Sequence, residues 1–211
     1  MTTSIAVVHG INTDQFELLE LTADVETIVD SIVDCSKTFT PIRWRSRGTV
    51  LGDVFAMRSG AWMREQVDEV KRQLFRCQAD IVIGYSFGAA LAHTAVTDMG
   101  LRAPVICLGS PLGHPLIGRY LALAGLRPAV PAYRQRVDIW NRDDDITSLA
   151  GLHSTLPGWK QIRIAVPKDL GIVEHFHKRY IFANGRGGPL HGATLRAMTP
   201  HILRAAGEEV H

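Results

Sequence analysis

The sequence predicts an α/β fold of three layers, helix on sheet on helix, with about six mostly parallel strands. Two observations lead there. Short apolar runs of strand length alternate along the chain with longer segments of helical period. Several of the runs (Val7-Val8, Ile81-Val82-Ile83 and Val105-Ile106-Cys107-Leu108) are continuous rather than alternating, as strands covered on both faces must be. The size agrees: 211 residues suit a single domain, and 46% hydrophobic with 21% charged residues excludes a disordered chain.

Each element has its own signal. Ile5–Val8 is a short β-rich run ended by His9-Gly10. Asp14-Gln15-Phe16-Glu17 has the form of a capping box, and Leu18, Leu21, Val25, Ile28 and Ile32 follow at helical spacing. Residues 38–44 read as a second strand, and glycine-punctuated 48–57 is left unassigned. Ser59 can cap a helix with Met63, Val67, Val70, Leu74 and Cys77 on one face. Residues 81–85 form a strand, followed by a helix to about Met99. Residues 104–108 form the next strand, with a helix expected over 116–126. Residues 137–140 and 162–166 complete the strands, and the last helix is expected over 193–206, with Pro200 as a kink or break.

Charge and cysteine usage narrow the function classes. A net charge of +2 with scattered arginines gives no case for a nucleic-acid partner. No apolar run reaches the ~18 residues of a membrane-spanning helix, so no integral membrane segment is expected. Cys35, Cys77 and Cys107 lack metal spacing and suit buried thiols in a reducing compartment. Met1-Thr2-Thr3-Ser4 lacks the basic start of a signal peptide, so the expected location is the cytoplasm.

In a parallel sheet, ligands bind beyond the carboxyl ends of the strands, so the residues just after each strand matter most. After the third strand comes Gly84-Tyr85-Ser86-Phe87-Gly88, leading into a helix rich in alanine. A turn this sharp holds the Ser hydroxyl out of the sheet and leaves no room for side chains two positions either side. The pentapeptide in this setting resembles the nucleophile elbow of the α/β-hydrolase family, lipase- and esterase-like members above all. The bland reading is a glycine-rich turn with an idle Ser86.

The resemblance extends to the other strand ends. It implies an oxyanion hole made by the backbone N–H groups of Phe87 and of Ile11, in His9-Gly10-Ile11 after the first strand. His9 itself reads as a structural residue. Leu108-Gly109-Ser110-Pro111 resembles the family's structural Gly-Ser-Pro turn, where Pro111 denies Ser110 the elbow geometry. Asn141, Asp144 and Ile146 match the family's spacing around the triad acid, so Asp144 is its counterpart, with Asp143 and Asp145 as alternatives. His177 with Tyr180 resembles the family's late His-x-x-Tyr, which makes His177 the counterpart of the base and His175 the alternative. His93, His153, His191 and His201 read as surface or structural.

The chain resembles a minimal version of the family, without its first two strands. Residues 45–62 are a possible flap over the site, with Leu112–Ile117 as a second wall. The implied function is a serine hydrolase that cleaves a small-molecule or lipid carboxylic ester or thioester through Ser86, Asp144 and His177. It needs no cofactor and no metal. The alternatives are an acyltransferase with the same triad, or a catalytically silent binding protein on the same fold.

Overall fold

The chain alternates strand and helix from its first described residues, and the computed structural model describes residues 2–11, 13–47, 49–130, 135–144, 146–164 and 189–207. Strand β1 (Thr3–Val8) leads to helix α1 (Gln15–Asp30). The capping box is present: Asp14 Oδ1 accepts the Glu17 N–H at 2.8 Å and Glu17 Oε2 accepts the Asp14 N–H at 3.1 Å. Strand β2 (Lys37–Ile42) stops before Trp44, which is buried in the core. Helix α2 (Val50–Ala56) lies within the glycine-punctuated 48–57 segment. Gly52 obscures it, and the Thr49 hydroxyl starts it by accepting the Gly52 N–H at 3.0 Å.

Helix α3 (Gly60–Cys77) begins at Ser59, whose hydroxyl accepts the Trp62 N–H. Strand β3 (Ile81–Tyr85), helix α4 (Phe87–Asp98) and strand β4 (Val105–Leu108) follow. A single turn of tighter helix at Pro111–Gly113 precedes α5 (Ile117–Leu123), which ends earlier than expected. Strands β5 (Arg136–Asn141) and β6 (Lys160–Ile164) complete the sheet. The last helix, α6 (Pro189–Ala206), starts earlier than expected and carries Pro200 inside it rather than ending there. Met198 and Ile202 flank the proline and anchor α6 to the sheet.

The six strands are all parallel, in the order β2-β1-β3-β4-β5-β6. Strands β1, β3, β4 and β5 are buried over nearly their whole length, whereas edge strands β2 and β6 are only half covered. Pro41 is tolerated in β2 because an edge strand leaves one row of backbone groups unpaired. Alternate residues feed two cores. Ala6, Val8 and Val82 pack under α3 and α4, while Ile5, Val7, Ile81 and Ile83 pack under α1 and α6.

The order has a direct consequence. From β1 the chain moves one way to β2, then returns past β1 to β3. The strand order therefore reverses between β1 and β3, and parallel sheets bind ligands outside the carboxyl ends of the strands at such a reversal.

Three buried histidines, His9, His93 and His201, tie the fold to pH. His93 accepts the Arg136 Nε–H on Nδ1 at 3.2 Å and faces the Pro128 carbonyl with Nε2 at 3.0 Å. Burial lowers its pKa to about 4, and burial does the same to His9 and His201. The unfolded chain then takes up protons between pH 6.5 and 4 that the folded chain refuses. Stability is complete above pH 6.5 and falls as pH drops through that window, by about 3 kcal/mol per histidine at most. Asp138, whose carboxyl burial pushes upward, acts in the opposite sense at the acid end. Urea unfolding at pH 7.5 and pH 4.5 should show a lower midpoint in acid; equal midpoints would contradict neutral buried imidazoles.

Candidate active site

Ser86 stands between β3 and α4 with φ 55° and ψ −131°, a left-handed conformation that costs a non-glycine residue ~1–3 kcal/mol. Its backbone is held from both sides. The Ser86 N–H donates to the Leu108 carbonyl at 2.9 Å, and its carbonyl accepts the Ala89 N–H at 3.0 Å. The flanking glycines are required by neighbours. A Cβ on Gly84 would stand 2.5 Å from the Ala89 Cα, and one on Gly88 would stand 1.9 Å from the His9 carbonyl oxygen. A Cβ on Gly10 would stand 2.9 Å from the Ser86 Cβ. The loop after β1 thus passes directly beside the serine, at the point where the strand order reverses.

His9 fixes that loop. Its Nδ1–H donates to the Gly10 carbonyl at 2.7 Å, and its Nε2 accepts the Trp44 N–H at 3.3 Å. The Trp44 indole N–H donates to the His9 carbonyl at 2.8 Å, and the two rings stack 5.0 Å apart. With both nitrogens engaged and its pKa near 4, His9 is a neutral clamp on the loop. Trp44 in turn meets Phe87 edge-on at 5.3 Å, so the loop, the end of β2 and the start of α4 form one packed unit. The sequence carried no signal for Trp44 in this place, because the contact joins residues far apart in the chain. Phe87 is the first residue of α4, so its N–H has no acceptor within the helix. Ile11 lies one residue beyond Gly10, half-buried against the core under α3 and α4.

The turn after β5 distinguishes the acidic residues. Asp144 is buried, and its Oδ1 accepts the Ile146 N–H at 2.8 Å. Its carbonyl accepts the N–H groups of Thr147 and Ser148. Buried Asn141 holds the turn by accepting the Asp143 N–H at 3.2 Å. Asp143 is half-buried and pairs with Arg142 at 3.3 Å. Burial above all, with the Asp144 charge after it, raises the Tyr85 pKa well above its ordinary value. Asp145, His175, His177 and Tyr180 lie outside the described residues, as does the side chain of His191.

Ser110 is a cap and not a second elbow. It is fully buried in extended backbone, and its hydroxyl accepts the Leu112 N–H at 3.2 Å. Of the two roles expected for His153, the structural one holds, with its side chain buried. Its Nε2 meets Asp138 Oδ2 at 2.9 Å, its Nδ1–H donates to the Thr147 carbonyl at 2.8 Å, and its ring stacks on Trp140 at 4.2 Å. The ring fills the space that a Cβ on Gly113 would need. Asp138 and His153 therefore support the Asp144 turn from beneath, and both His153 nitrogens are occupied. The sequence signal for this pair is Asp138 itself, since a carboxylate inside an apolar strand needs a buried partner.

Trp62 is buried, and Ala56 and Met57 pack on the core, while Leu51, Val54 and Phe55 on α2 face outward. In the second wall, Leu112 is buried and Leu116 is exposed.

No family model matches the chain, and no curated protein matches it. Solved structures do. TT1662 from Thermus thermophilus is 15% identical with a TM-score of 0.55, covering 99% of this chain and 90% of that one. XC6422 from Xanthomonas campestris, described as an α/β serine hydrolase without lid, is 15% identical with a TM-score of 0.52, covering 97% and 81%. A dienelactone hydrolase-like promiscuous phosphotriesterase from metagenomic libraries is 10% identical with a TM-score of 0.55, covering 96% and 86%. With six parallel strands in this order and matches of this extent, the chain has the α/β-hydrolase fold.

Proposed function

We propose that this protein is a serine hydrolase of carboxylic esters or thioesters. The observation that carries the reading is Ser86 itself: a strained serine at a strand-to-helix turn, beside the Gly10 loop, at the reversal point of the sheet. Strain of this kind persists only where the surroundings impose it, and it clusters at functional sites. Buried Asp144, in the turn after β5, supports the same reading, as does the hydrolase character of the structural neighbours.

In this mechanism His177 takes the Ser86 proton as Oγ attacks the acyl carbonyl. The N–H groups of Phe87 and Ile11 receive the oxyanion. The tetrahedral intermediate collapses, the ester C–O or thioester C–S bond breaks, and His177 gives the proton to the leaving oxygen or sulfur. A water molecule, deprotonated by His177, then attacks the acyl-enzyme and releases the acid and free Ser86. Asp144 holds the His177 tautomer and stabilises the imidazolium. His175 is the alternative base.

Labelling with a fluorophosphonate tests the reading and chooses the base. The wild type should label rapidly, Ser86→Ala should not label, and one of His177→Ala and His175→Ala should lose labelling while the other keeps it. A folded wild type that fails to label, or a Ser86→Ala variant that labels, would overturn the proposal.

A further inference from the structure

An exposed apolar face lies where α2 and α5 meet. Leu51, Val54 and Phe55 project from α2, and Leu116, Tyr120 and Leu123 from α5 and its start; Leu51 and Leu123 are each 83% exposed and Phe55 71%. The two helices are joined, since the Tyr120 hydroxyl donates to the Met57 carbonyl at 2.8 Å. Both follow the carboxyl ends of strands, β2 and β4, that flank the β1–β3 pair. The face thus sits on the Ser86 edge of the sheet.

Its charge is one-sided. Arg58 lies over the Phe55 ring at 5.8 Å, Arg47 packs beside Gly52 at the start of α2, and Arg119 is the exposed neighbour of Tyr120. No ion pair involving any of the three occurs among the described residues. Between Lys37 and Arg64 the sequence holds one acidic residue, Asp53. It is fully buried and accepts from the Ser46 hydroxyl and the Arg47 N–H. Between Asp98 and Asp138 there is no acidic residue at all. On neighbouring α3, Asp68 and Glu69 are paired with Lys71 and Arg72.

We infer that this face docks on an anionic lipid surface. Leucine and phenylalanine side chains suit the boundary with the acyl chains, and guanidinium groups suit phosphate headgroups. Charge argues against a second copy of the chain as occupant. A two-fold interface would set the same patch against itself and bring unpaired arginines together. The inference is independent of the Ser86 chemistry, because docking is read without turnover.

The test is flotation of the full chain with vesicles of phosphatidylcholine, with and without phosphatidylglycerol. Binding should require phosphatidylglycerol and weaken at high salt. Arg58→Gln and Arg119→Gln should each lower the partition about fivefold, and Leu51→Ser and Phe55→Ser roughly tenfold each. Phe75→Ser, which replaces an exposed ring on α3 outside this face, should keep wild-type binding. All five positions are exposed, and thermal melts should confirm that each variant is folded. Equal binding to both vesicle types, equal loss in Phe75→Ser, or unchanged binding in the face variants would overturn the inference. So would a dimer in light scattering that Phe55→Ser dissociates.

Discussion

Replacing Ser86 by alanine is expected to lower ester turnover by about five orders of magnitude, because nucleophile and base act as a unit. The thermal midpoint should barely move: alanine at φ 55° carries the same strain as serine, and the backbone bonds to Leu108 and from Ala89 remain. Ser86→Gly should be equally inactive yet more stable. Glycine adopts this conformation freely, so relief of the strain should add about 1 kcal/mol, or about 3 °C in Tm for a domain of this size. The pair of variants separates two roles of one residue. Turnover with a p-nitrophenyl ester series and thermal melts of the three proteins measure both. Ser86→Ala with near wild-type turnover would rule out Ser86 as nucleophile, and Ser86→Gly with an unchanged melt would show that the turn stores no strain.

Gly88→Ala should be the most damaging small substitution at the site. The new methyl would stand 1.9 Å from the His9 carbonyl oxygen and 2.9 Å from the Val8 carbonyl oxygen. These are backbone atoms of a buried strand end, with the His9 carbonyl already bonded to the Trp44 indole, so they have no cheap way to move. Overpacking of this kind costs ~3 kcal/mol or more, a fall of roughly 10 °C in Tm. The forced shift would separate the Gly10 loop from Ser86, and a displacement of about 1 Å costs roughly a hundredfold in rate. Fluorophosphonate labelling should slow accordingly in whatever fraction stays folded. Wild-type labelling together with a wild-type melt would contradict the close packing of α4 on the β1 loop.

Much of this was legible in the residues alone, for local reasons. The capping box at Asp14–Glu17 and the Ser59 cap satisfy helix-start amides within their own turns, so they can be read without knowing the fold. Continuous apolar runs announced β1, β3 and β4 because a parallel strand is covered on both faces. Pro200 misled, since a proline inside α6 looks like a stop when only propensity is considered, whereas packing of Met198 and Ile202 carries the helix through. The α2 segment was opaque for the same reason in reverse: Gly52 weakens the pattern, and Thr49 and the core contacts of Ala56 and Met57 restore it.

The sequence by itself determined the α/β class, the Ser86 turn with its two glycines, and the Asn141–Asp144–Ile146 spacing. Each is a demand that a few consecutive residues place on their own backbone. Only the tertiary structure decided what stands opposite them. It put the His9 carbonyl against Gly88, Trp44 on the His9 ring, Asp138 on His153 beneath the acid turn, and α2 against α5 at Met57 and Tyr120. Those contacts join positions from 15 to 79 residues apart, and the chain records no periodicity for them. Their specificity arises when the parallel sheet brings the ends of distant segments together along one edge.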